Sequence, residues 1–98
     1  MKLIRDKLAL TPYPERPRAV MIVPIEVQKR LIFDKVLEEA WEVSAAKAHE
    51  QLIEELADLK EVVHRLYKLH EIDRRDVETV RAAKFEKRGG FEQGYIIL

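Results

Sequence analysis

A chain of 98 residues is enough for one domain with a modest core. Hydrophobic residues at 47% exclude a disordered chain, and charged residues at 37% exceed what a compact monomer needs and suit long helices with partner surfaces. Lys plus Arg and Asp plus Glu balance at 18 each, which argues against a protein that coats nucleic acid, and the absence of cysteine excludes disulfides and thiolate metal sites.

In chain order, residues 1–8 are mixed basic and apolar, and Met1-Lys2-Leu3-Ile4-Arg5 is charged too early to open a signal peptide. Pro12, Pro14 and Pro17 keep residues 11–18 out of any ordinary helix. Ala19 to Val23 is a short apolar run of extended type, and Pro24 suits the first turn of a helix. From Ile25 to about Ala48, Ile25, Ile32, Val36, Ala40 and Val43 recur at helical spacing. A second amphipathic helix spans His49 to His70, with Leu52, Leu56, Leu59, Val63, Leu66 and Tyr67 as its stripe. The turn between the two, near Ala48–Glu50, carries no Gly or Pro to mark it. Asp73 caps a third helix, Asp76 favours its first turn, and Gly89-Gly90 stops it after Arg88. The tail, Phe91 to Leu98, ends in Tyr95-Ile96-Ile97-Leu98 and reads as a packing strand or an arm onto a partner.

The expectation is one all-α domain, an antiparallel helical bundle of about three main helices. Residues 1–24 form an N-terminal arm and proline-rich loop, 25–88 the helical core and 89–98 the tail. Three helices are one short of a four-helix bundle, so a homodimer or homotetramer is expected to supply the missing surface, with a monomeric three-helix bundle as the alternative. No stretch approaches the roughly 18 apolar residues of a membrane span. The expected setting is cytoplasmic, with neither membrane nor nucleic acid as partner.

Two acidic clusters carry the chemistry, Glu38-Glu39-Ala40-Trp41-Glu42 and Glu54-Glu55-Leu56-Ala57-Asp58. Glu39 with Glu42, and Glu55 with Asp58, stand one helical turn apart. In so charged a chain such pairs also arise on plain solvated faces. These, however, fall on the apolar side. Glu55 lies inside the stripe between Leu52 and Leu59, Asp58 at its edge, and Glu39 between Val36 and Val43. A carboxylate aimed at a core costs several kcal/mol, on the order of 2–7, unless compensated. Lysine or protonation can compensate, but several acids converging from two antiparallel helices point to a divalent cation. Oxygen-only ligands favour Mg²⁺, with Mn²⁺ as the alternative, and Mg²⁺ also binds substrate phosphates.

Cations extend the pattern. Lys84 and Arg88 lie on or beside the apolar face of the third helix, and Lys2, Arg5 and Lys7 form a second basic group. They either contact anionic substrate or pair with the acidic clusters. His49, His64 and His70 lack metal-ligand spacing and read as structural or surface residues. Trp41 and Tyr67 read as core or interface aromatics. There is no Gly-rich phosphate loop and no nucleophile with a plausible base.

The order E-x-x-E, residues 43–54, E-x-x-D resembles the MazG-like branch of the all-α NTP pyrophosphatases. The wider likeness is to its short, phosphoribosyl-ATP pyrophosphohydrolase-like members. It rests on Lys2-Leu3-Ile4-Arg5-Asp6-Lys7-Leu8 at the start and on Lys84-Phe85-Glu86-Lys87-Arg88-Gly89-Gly90-Phe91 near the end, and so spans nearly the whole chain. The resemblance implies Mg²⁺ held by Glu39, Glu42, Glu55 and Asp58, hydrolysis of a nucleoside triphosphate to monophosphate and pyrophosphate, and helical dimers or higher oligomers. Glu38 or Glu39 is assigned to the catalytic water, and Lys84, Arg88, Arg5 and Lys7 to the phosphates. The chain departs from the family where Thr11 to Arg18 replaces the usual I-P-E continuation, and its short length implies a pocket shared with a partner subunit. Two alternatives stand beside this expectation, a phosphoribosyl-ATP pyrophosphohydrolase and a non-catalytic helical dimerisation module.

Overall fold

The computed structural model describes residues 1–15 and 19–98; residues 16–18, including Pro17 of the proline-rich segment, lie outside the described residues. Among the described residues the protein is all-helical, with a short α1 (Asp6–Ala9) and three main helices, α2 (Ile25–Ala45), α3 (His49–Leu69) and α4 (Arg74–Arg88).

α2 begins at Pro24, whose carbonyl accepts the amides of Val27 and Gln28, both at 3.0 Å. The Gln28 side chain also donates to the Val23 carbonyl at 2.8 Å, tying the entering strand of chain to the first turn. The turn that carries no Gly or Pro is made by Ala46 and Ala48 in extended conformations. Gln51 supplies the missing cap, its Oε1 accepting the Lys47 amide at 3.1 Å. α2 thus stops at Ala45, slightly earlier than its hydrophobic spacing predicts.

So short a link makes α2 and α3 an antiparallel hairpin. At one end the His70 ring donates to the Lys29 carbonyl at 3.0 Å and lies 4.9 Å from the Phe33 ring, while Arg65 donates to Gln28 at 3.1 Å. Leu31, Ile32 and Leu69 form the buried core. Val36, Val43, Leu59, Val63, Leu66 and Tyr67 are half-buried along the seam. Ile25, Ala40, Leu52 and Leu56, also expected on the inward stripes, are exposed instead. A two-helix seam covers a narrower band than the apolar stripe written into each helix.

α3 closes with a left-handed Glu71 at φ 53°. The Ile72 amide donates to the Tyr67 carbonyl at 2.8 Å and the Glu71 amide to that of Lys68 at 3.4 Å, so these two carbonyls in the last turn of α3 are satisfied. Asp73 caps α4 as its position predicts, accepting the Arg75 amide at 2.9 Å. Gly89, at φ 78°, ends that helix by donating to Phe85 at 2.7 Å. No residue of α4 is buried, and Val77, Val80 and Phe85 are exposed. The tail forms no strand, and Phe91 and Tyr95 to Leu98 are almost fully exposed.

The accessible surface is 8949 Å². A compact monomer of 11.5 kDa exposes about 5,800 Å² by the usual size scaling. The radius of gyration, 17.0 Å, likewise exceeds the ~13 Å of a compact chain of this length. Much of the apolar surface is therefore left uncovered by the chain itself. Among the described residues, no helix is long and apolar enough to cross a membrane.

Candidate metal centre

The hairpin register carries the E-x-x-E of α2 past the E-x-x-D of α3. Carboxylate oxygens of Glu39, Glu55 and Asp58 lie within 4.8 Å of one another. All three side chains are half-buried, Glu39 the more deeply of the two whose exposure bears on the ion pairs, at 12% against 41% for Asp58. Three like charges this close repel strongly in partial burial, so each needs a counter-charge or a proton.

The chain supplies counter-charges to two of them. Lys35 Nζ lies 3.4 Å from Glu39 and 3.2 Å from Glu38. Arg5, from the N-terminal arm, donates through Nη2 to Asp58 Oδ1 at 2.7 Å. Lys2 from the same arm donates to Glu38 Oε1 at 2.8 Å. Hydrogen bonding from Lys2, assisted by Lys35, holds the Glu38 carboxyl below the ordinary carboxylate range. The same bond raises the Lys2 ammonium above its usual value.

Glu55 has no ion pair among the described residues. Desolvation raises its pKa, and the charges of Glu42, Asp58, Glu39 and Glu54 raise it further. Glu42 is outside the set of three but close enough for its charge to act on Glu55. The structure thus brings Glu39, Glu55 and Asp58 together, with the charge of Glu42 acting on Glu55 and with Arg5 and Lys2 of the arm paired to Asp58 and Glu38.

The other residues singled out in the sequence lie apart from the cluster. Lys84 and Arg88 line a depression at the C-terminal end of α4 with Arg81, Phe85, Phe91 and Glu92, which contains none of the clustered acids. Lys7, on α1, makes no ion pair among the described residues. His64 accepts from Arg74 at 3.2 Å and His70 bonds to backbone, both structural roles. Trp41 is exposed, on the outer face of α2.

Lys35 is a member of the site that the acidic motifs alone do not point to. Its signal was present in its spacing, one helical turn before both Glu38 and Glu39, where a lysine reaches either carboxylate.

The donor set fits a hard divalent cation. It consists of carboxylate oxygens from two rigid helices, one of them with a raised pKa and no resident counter-charge. Comparison of the chain with protein-family models, with curated proteins and with solved structures gives no match.

Proposed function

We propose that the protein is a Mg²⁺-dependent nucleoside-triphosphate pyrophosphohydrolase, with Mn²⁺ as an alternative ion, that works as a homodimer or homotetramer in the cytoplasm. The observation that carries this reading is the convergence of Glu39, Glu55 and Asp58 from the two helices of the hairpin. Together with Glu42 they would hold the cation. When bound, such a cation neutralises phosphate oxygens and acidifies a coordinated water.

The chain's own groups divide the remaining work. Glu38 is kept ionised by Lys2 and Lys35, so it serves as an acceptor that orients the hydrolytic water more readily than as a strong base. Glu39, inside the cluster, is the second candidate for contact with that water. Arg5 reaches the acids through Asp58, Lys7 follows two residues later in the same arm, and cations there suit triphosphate oxygens. Lys84 and Arg88 act on the phosphates of a site shared between copies, since α4 stands away from the acids of its own chain.

The uncovered surface supports the oligomer, for the excess over a compact monomer is of the order that a stable interface buries. The same surface would suit a non-catalytic dimerisation module, but that reading gives no reason for acids on the inner seam. The test is product identification after incubation with NTPs, dNTPs and phosphoribosyl-ATP in Mg²⁺. Monophosphate plus pyrophosphate is expected from a nucleoside triphosphate. Orthophosphate and diphosphate would refute cleavage at the α–β linkage, and turnover of phosphoribosyl-ATP alone would move the assignment to the histidine-pathway reaction.

A further inference from the structure

We propose that the N-terminal arm is a displaceable latch on the acidic cluster, with Arg5 and a divalent cation competing for Asp58. This inference rests on the metal-centre reading above. The arm touches both helices of the hairpin through Lys2 on Glu38 and Arg5 on Asp58, with Leu3 and Ile4 half-buried between those contacts. Arg5 Nη2 takes up Oδ1 of one of the three clustered carboxylates, at 2.7 Å. A guanidinium and a divalent cation cannot both fully use an oxygen set this small.

The pairs are also of the kind that yields. The arm cations are both 63% exposed, and exposed ion pairs are weak enough for a coordinating ion to displace. α1 begins directly after Arg5, and the Ala9 amide donates to the Arg5 carbonyl at 3.1 Å. Release of the arm therefore loosens this first helical turn. Once released, Arg5 stands free beside the site for an anionic substrate. Linkage makes the effect reciprocal: whatever factor the cation costs the latch, the latch costs the cation.

The test is calorimetric titration of Mn²⁺ into the full chain and its Arg5→Gln variant, with Lys7→Gln as the control for loss of charge in the same arm. Hydrogen exchange of the Ala9, Leu10 and Thr11 amides is followed with and without the ion. The latch predicts Mn²⁺ binding about two- to five-fold tighter in Arg5→Gln than in wild type or Lys7→Gln. It also predicts several-fold faster exchange of the three amides on adding Mn²⁺ to wild type, and fast, ion-insensitive exchange in Arg5→Gln. Mn²⁺ binding with unchanged or slowed exchange, or with no gain in Arg5→Gln over Lys7→Gln, overturns the latch and leaves the metal centre standing. No binding to any of the three proteins overturns both.

Discussion

Glu39 of α2 and Glu55 of α3 bring carboxylate oxygens within 4.8 Å of each other across the seam of the hairpin, yet only Glu39 has a lysine beside it. The unpaired Glu55 is the strained member. Desolvation, then Glu42 and its other acidic neighbours, raise its pKa above the ordinary carboxylate value. A group with a raised folded-state pKa binds protons more tightly folded than unfolded, so Glu55 favours folding at low pH and opposes it as pH rises through that raised value. Replacing Glu55 with Gln should raise the melting temperature of the metal-free protein at neutral pH and leave it nearly unchanged below pH ~4, where the carboxyl is protonated in both states. In wild type, Mg²⁺ at a hundred times its Kd should stabilise by about 2.7 kcal/mol, on the order of 10 °C. Glu55→Gln should lose that response. Thermal denaturation across pH, with EDTA and with Mg²⁺, measures both effects.

Lys35 is the internal counter-ion of the α2 acids. Its side chain is only 17% exposed and reaches Glu38 and Glu39 together. Lys35→Met should destabilise the metal-free protein by about 1–2 kcal/mol, because two partly buried carboxylates lose a charged partner. Lys35→Arg should restore part of the loss. Saturating Mg²⁺ should narrow the difference between Lys35→Met and wild type, since the cation replaces the missing charge. Denaturant unfolding with and without Mg²⁺ distinguishes this from a simple packing defect, which Mg²⁺ would not narrow.

Glu71 bears the left-handed conformation that closes α3, at φ 53°. That conformation costs an L-residue roughly 1–2 kcal/mol and costs glycine little. Glu71→Gly should therefore stabilise the protein by about 1 kcal/mol, or about 4–8 °C, with no change in cation affinity. A fall in melting temperature would mean that the Glu71 side chain contributes something its geometry does not reveal.

Trp41 belongs to an outer stripe on α2 with Phe33 and Leu37, and is 67% exposed in the single chain. A contiguous apolar stripe of this kind marks an association surface. Trp41→Glu should weaken self-association by roughly 10²- to 10⁴-fold, by removing about 1.5–3 kcal/mol of burial from each of two copies. Light scattering coupled to size exclusion should show wild type as a dimer or larger and the variant as a monomer. A monomeric wild type at tens of micromolar would refute the oligomer.

The main helices were legible because each carries its own punctuation. Pro24 opens α2, Asp73 caps α4, and Gly89 releases the chain from it. The α2–α3 turn was harder to place, since its cap is a glutamine side chain acting on Lys47 and not a backbone breaker. The short α1 has too few residues for periodicity to reveal. Of the site, Glu39, Glu55 and Asp58 were legible from their place on apolar stripes, because helical spacing fixes which faces meet in a short hairpin. Their counter-charges were not all legible. Arg5 and Lys2 reach the cluster through tertiary placement of the arm, which no spacing rule encodes. The exposure of Leu52, Leu56 and the whole of α4 was hidden for the opposite reason: an apolar stripe marks a face suited to burial, but not that the rest of the chain packs against it.

Direct measurement of pyrophosphate release tests whether the clustered acids support hydrolysis of a nucleoside triphosphate, as proposed. Wild type and Glu55→Gln would be incubated with a panel of NTPs and dNTPs in Mg²⁺, with EDTA as control. Wild type should release pyrophosphate from at least one nucleotide and none in EDTA, and folded Glu55→Gln should be at least 100-fold slower, the scale on which a lost ligand or charge-stabilising group acts. Equal rates for the two proteins, or release that persists in EDTA, would contradict the proposal.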